Sequence, residues 1–203
     1  ARSIAAAPIR ECLSVAKLID ALREIVIANR ILAQEGVVDA FGHVSMRHPE
    51  NPGHYLVARS RSPELVTMDD IMEFTLEGDV VGDDDRKPYA ERHIHGGIYE
   101  RRTDVQSVVH NHAHAIAETL GDERVVLMRG HGCAVAAGGI REAVLTAIYT
   151  QVNAELQLQA MPLGDVKYLS AAEIELTPET LIGPLAMERA WEYFARRAMG
   201  DAF

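Results

Sequence analysis

Apolar runs of strand length alternate with longer runs of helical period along this chain, and that alternation sets its fold class. Leu18, Leu22, Ile25 and Leu32 recur at helical spacing within a mostly apolar segment that also holds Leu13, Val15, Ile19, Val26, Ile27 and Ile31. A first helix is therefore expected over residues 9–34, with Gly36 as its C-cap. Strand-like runs follow at 42–47, 54–59 and 71–75, and Glu77-Gly78-Asp79 reads as a tight turn leading into Val80 and Val81. A second helix is expected over 88–101, with Pro88 near its start. Strands are expected at 105–112, 125–129 and 133–137. Gly138-Gly139 then precedes a long helix over about 141–158. Thr177-Pro178-Glu179 is a capping signal for a last helix running towards Met199. Strands interleaved with helices give an α/β fold, read here as one domain over residues 1–203.

Composition narrows the class of partner. The chain has 203 residues, 48% hydrophobic and 25% charged, which suits a soluble domain able to bury a core without staples. A net charge of −10 argues against nucleic acid, which demands a basic surface. Lys and Arg are scattered, and no apolar stretch is long enough to span a bilayer, so no membrane partner is expected. Cys12 and Cys133 are too few for a disulfide framework, which makes a reducing cytoplasm the default. Residues 1–8 lack a full signal-peptide pattern and read as a loose terminus.

The chemistry is concentrated in histidine. His110 and His112 are separated by one residue on a predicted strand, so both side chains point to one face and can grip one metal ion. His131 lies between Gly130 and Gly132, where the backbone can turn sharply. Three imidazoles leave coordination positions open for water or substrate, as catalytic sites do. A lone His-x-His is weak, because imidazoles also satisfy core and surface hydrogen bonds. Glu91 lies near the start of the second helix, where the dipole favours a carboxylate, and His95 lies one turn later on the same face. Glu91 has three readings: a fourth ligand, a general acid/base, or a charge facing solvent. His93 points away from that face. His114 continues the alternation of His110 and His112. His43, His48 and His54 have no partner that spacing supplies. Cys133 is read as a small buried strand residue rather than a soft ligand.

Taken together, Gly42-His43-Val44-Ser45-Met46-Arg47, Glu91 with His95, Val109-His110-Asn111-His112 and Arg129-Gly130-His131-Gly132 resemble the class II aldolase/adducin family, in the family's order. The resemblance implies a central β-sheet flanked by helices in three α/β/α layers, assembled as a ring-shaped homotetramer with sites between subunits. It implies metal ligands at His110, His112 and His131 and an acid/base carboxylate at Glu91. The cofactor expected is one divalent transition metal, manganese or zinc, although imidazole ligands also suit iron and nickel.

Three departures redirect the function. His43 stands where sugar-phosphate aldolases of the family carry asparagine. Tyr89-Ala90 replaces a serine pair, and Arg59-Ser60-Arg61-Ser62-Pro63 replaces a Ser-Gly phosphate loop. The small donors of a phosphate cradle are mostly gone, while Arg59 and Arg61 suit a carboxylate. Ser60 adds a hydroxyl, and His43 is a further candidate for substrate binding. The plainer alternatives are solvated loop arginines, a turn serine and a surface histidine. The pattern resembles the family's decarboxylase branch, acting on hydroxylated aromatic or pyridine dicarboxylates. It implies a small-molecule carboxylate substrate and a metal that stabilises enolate-like charge as carbon dioxide leaves, with Glu91 handling the proton. An aldolase or epimerase of a non-phosphorylated hydroxy-acid or sugar is the alternative, and a non-catalytic adducin-like module a third. Relatives carry a longer stretch after the His-x-His strand. Near residues 115–117 that stretch is either deleted from this chain or omitted from the sequence.

Overall fold

The computed structural model describes residues 6–111, 120–128, 132–176 and 183–200. Helix α1 (Ala6–Gln34) is followed by strands β1 (His43–Arg47), β2 (His54–Ala58) and β3 (Ile71–Thr75). Helix α2 (Arg92–Arg101) leads to β4 (Ser107–Asn111), β5 (Val125–Met128) and β6 (Gly132–Ala137). Helices α3 (Ile140–Ala160), α4 (Ala171–Leu176) and α5 (Pro184–Met199) complete the described chain. Most of these elements follow the sequence expectation in order and type. Gly36 adopts φ 68°, and its N–H donates to Ala33 O, as a C-cap requires. Two details differ. Helix α4 was not anticipated, and α5 starts at Pro184 after Gly183, while residues 177–182, with the expected Thr177-Pro178-Glu179 cap, lie outside the described residues.

The sheet runs β3-β2-β1-β4-β6-β5, and every neighbouring pair is antiparallel. The meander β1-β2-β3 places β1 inside the sheet, so β4, arriving after α2, pairs on its open edge. Alternation along the strands then assigns two faces. Val44, Leu56, Val109 and Val135 lie on the face covered by α1 and α3, where Ile25, Ile31, Leu32, Val144 and Ile148 complete the buried core. Leu18 and Leu22 pack partly against it, whereas Leu13, Val15 and Ile19 are exposed. The other face carries His43, Ser45, Tyr55, Phe74 and His110, with α2 laid over it. The result is the expected three-layer α/β/α arrangement around a central sheet.

Helix α2 begins later than its sequence suggests. Arg92 is its first residue and Glu91 its N-cap, with φ −88° and ψ 8°. The preceding segment is held extended by an Arg59–Pro88 bridge and by the Ser60 N–H donating 2.8 Å to Lys87 O. Proline 88 also steers its predecessor away from helix. At the other end, Arg47 reaches from β1 to the carbonyls of Tyr99 (2.8 Å) and Arg102 (3.0 Å), closing the C-terminal end of α2. Gly96 lets the helix come close to the sheet: a Cβ there would sit 2.0 Å from Leu76 O. No helix among the described residues is long and apolar enough to cross a membrane.

Candidate active site

Strand pairing brings the first two site residues together. His43 on β1 lies directly opposite His110 on β4, and their rings stand 5.1 Å apart. Both are buried. Glu91, at the start of α2, points its Oε2 to within 3.4 Å of His110 Nε2 and 3.7 Å of His43 Nε2. Its side chain keeps a fifth of its surface open, so the cluster has one solvent-facing side. His43, Glu91 and His110 each offer a ligand atom, and these atoms lie within 4.8 Å of one another. Two imidazole nitrogens and a carboxylate oxygen at such separations fit a divalent metal. His112 and His131 lie outside the described residues, as do His114 and the short stretch near 115–117.

A buried polar chain backs this cluster. His43 Nδ1 is 2.7 Å from His95 Nε2, His95 Nδ1 is 2.6 Å from Ser45 Oγ, and Ser45 Oγ is 2.7 Å from the Tyr99 hydroxyl. Burial first, and then the neighbouring imidazoles of His43 and His110, hold His95 well below the usual imidazole range, so it is neutral at pH 7. Burial likewise raises Tyr99, which stays protonated. His95 was placed beside Glu91 by helical spacing, but its partners were not. Ser45 alternates with His43 on β1, and Tyr99 follows His95 by one turn, so both faces were readable while their meeting was not.

The remaining histidines are engaged elsewhere. His54 Nδ1 pairs with Glu73 at 2.6 Å, His48 Nδ1 accepts backbone N–H groups of Glu50 and Asn51, and His93 meets Glu77 O. Cys133 is buried and faces away from His110, since its neighbour Ala134 pairs with His110.

Arg59 and Arg61 share one carboxylate, that of Asp70. Arg59 Nε donates to Asp70 Oδ1 at 2.6 Å and Arg61 Nη1 to the same oxygen at 3.3 Å, while each side chain keeps about a third of its surface exposed. Burial opposes the Asp70 charge, but the Thr67 N–H and hydroxyl, with Arg59 and Arg61, overcome it and hold Asp70 at about 2. The arginines reach the histidine cluster through Tyr89, whose hydroxyl donates to Arg61 O and whose ring lies 4.3 Å from that of His43. Burial pushes the Tyr89 hydroxyl up to about 12, so it remains a donor. Ser60 is exposed, and its backbone N–H serves Lys87. A separate cavity of about 550 Å³ opens at the far end of β1, lined by Lys17, Arg47, Glu50 and Tyr99 among others, without touching His43, Glu91 or His110.

The site is thus a histidine–carboxylate cluster between an antiparallel sheet and the start of its covering helix. Residues 23–117 match the Class II Aldolase and Adducin N-terminal domain. More particularly, the chain is similar to decarboxylase tropJ of Talaromyces stipitatus, 26% identical over 248 aligned residues covering 86% of this chain and 92% of that protein. It is also similar to the 3,4-dihydroxyphthalate decarboxylase of Arthrobacter keyseri, 27% identical over 231 residues, 83% of this chain and 90% of that one. The L-fuculose 1-phosphate aldolase from Glaciozyma antarctica PI12 shares the fold, with a TM-score of 0.81 and 20% identity over 100% of this chain and 96% of that one.

Proposed function

We infer that this chain is a metal-dependent carbon–carbon lyase, a decarboxylase of a hydroxylated aromatic or pyridine dicarboxylate. The observation that carries the reading is Glu91, a partly open carboxylate held 3.4 Å from His110 and 3.7 Å from His43. Similarity to two decarboxylases over most of the chain supports the choice of reaction. His110, His112 and His131 would hold a divalent metal with Glu91 beside it, supplying Lewis-acid stabilisation of charge on a substrate oxygen. Glu91 holds a proton at Oε2 and delivers it to the ring carbon from which carbon dioxide has left, taking up the position of the broken bond.

The substrate's second carboxylate falls to His43, Arg59 and Arg61. Each arginine commits one N–H to Asp70 and keeps further donors in its planar fork. Asp70 thereby orients both forks without neutralising them. Ser60, exposed beside them, adds a hydroxyl. Sites between subunits of a homotetramer accord with this loop's position at the surface.

The deciding experiment incubates the purified chain, loaded with manganese or zinc, with hydroxylated aromatic dicarboxylates and separately with sugar phosphates. Carbon dioxide release from a dicarboxylate is expected. Turnover of the sugar phosphates alone refutes the reading. The shared fold of an L-fuculose 1-phosphate aldolase keeps an aldolase as the second reading, and an aldehyde product would identify it.

A further inference from the structure

The buried chain behind His43 has a direction, and the direction decides what His43 presents to the site. Three contacts link Tyr99, Ser45, His95 and His43, at 2.7, 2.6 and 2.7 Å. A neutral His95 brings one N–H, and Ser45 and Tyr99 bring one O–H each, so three hydrogens serve three contacts. Among the described residues, the one acceptor within reach of the Tyr99 hydroxyl hydrogen is Ser45 Oγ. If Tyr99 donates to Ser45, Ser45 donates to His95 Nδ1, and His95 donates from Nε2 to His43 Nδ1. The opposite order, starting from a His43 Nδ1–H, leaves the Tyr99 O–H buried with no acceptor. Burying an unsatisfied donor is costly, so the chain runs from Tyr99 towards His43.

We propose that Tyr99, Ser45 and His95 are positioning residues that fix the His43 proton on Nε2, making His43 a hydrogen-bond donor to an anionic substrate oxygen rather than a metal ligand. The second ring nitrogen of His43 is occupied by His95, and the buried Nε2 faces Glu91 Oε2, the partly open member of the cluster, at 3.7 Å. Geometry alone makes His43 as good a ligand as His110, since both lie in the same group with Glu91. The proton distinguishes them: an N–H cannot coordinate, but it can hold a carboxylate oxygen. The inference rests on the reading above that the site takes a carboxylate substrate.

The primary test reads the proton itself. Neutron diffraction, or nitrogen-15 NMR of histidine-labelled protein, is carried out on the zinc-loaded full chain without substrate. Hydrogen on His43 Nε2 and none on Nδ1 is expected. Hydrogen on Nδ1, or zinc bonded to Nε2, overturns the proposal. Because no substrate is needed, the result stands apart from the decarboxylase reading. Absence of carbon dioxide release from every dicarboxylate, with the proton on Nε2, would defeat that reading and leave this one intact. Tyr99→Phe supplies the kinetic test. The Michaelis constant for the dicarboxylate should rise about tenfold, the scale of one hydrogen bond to a charged group, with kcat nearly unchanged and zinc retained. Loss of zinc, or an unchanged Michaelis constant, overturns the proposal. Should the variant fail to fold, the measurement on the wild-type chain decides.

Discussion

Replacing Gly96 by alanine isolates the packing that sets the site. In an open helix this change stabilises, because alanine improves helix propensity by about 1 kcal/mol. Here the new Cβ would lie 2.0 Å from the Leu76 carbonyl oxygen and 3.0 Å from its carbon. An ordinary carbon–oxygen contact is about 3.3 Å, so the shortfall exceeds about 1 Å. Neither side yields cheaply. Leu76 leads into a turn closed by the Gly78 N–H to Thr75 O and the Thr75 N–H to Asp79 O, both at 2.9 Å. Arg92 Nε also ties α2 to Gly78 O at 2.7 Å. Overpacking of this kind costs about 1–3 kcal/mol and offsets the propensity gain, leaving a net destabilisation of up to about 2 kcal/mol. The helix must move by about 1 Å, carrying Glu91 and His95 with it. A misplacement of that size lowers catalytic turnover on the order of 100-fold. Urea titration provides the stability assay, read as a lower midpoint at unchanged slope. A midpoint that rises would show that α2 has room, and would refute the claim that Gly96 sets its distance from the sheet.

Glu91→Gln should lower carbon dioxide release by about 10²–10⁴-fold with an unchanged thermal midpoint; retained turnover would remove Glu91 from the proton path. Exhaustive chelation should abolish turnover, and manganese or zinc should restore it, as followed by activity alongside metal content. Acid stability should depend on Asp70. Its folded value, about 2, lies below the ordinary 3.8, so its contribution is complete above about pH 4 and is lost as pH falls through about 2. That contribution is about 2 kcal/mol, and Asp70→Asn should flatten the stability profile in this window; an unaltered profile would count against the buried pairing. Arg47→Met should free the C-terminal carbonyls of α2 and destabilise the chain by about 2 kcal/mol, measured by the same urea titration.

Some of the site was legible from single segments. Alternation on β4 put His110 and its neighbours on known faces, and helical spacing put His95 on the face of Glu91. Arg59 and Arg61 stood out as a pair because they replace small donors. Their shared partner, Asp70, lies in the short helical turn before β3 and gave no local sign of its role. The start of α2 was misjudged for a related reason. Pro88 is compatible with a first helical turn, but the chain at 87–88 is held by pairing with Arg59 and Ser60, a contact between segments distant in sequence.

His43 marks the boundary most clearly. Taken alone it has no partner that spacing supplies, and a surface hydrogen bond is its plainer reading. The tertiary structure buries it opposite His110, beside Glu91, and in contact with His95. The sequence determined which segments are strands and helices, and which residue types stand ready for chemistry, because periodicity is a property of near neighbours. Only the tertiary structure decided that β1 receives β4 along its open edge and α2 over its face. Sheet order and register arise from burial summed over the whole chain, and no local window contains that sum.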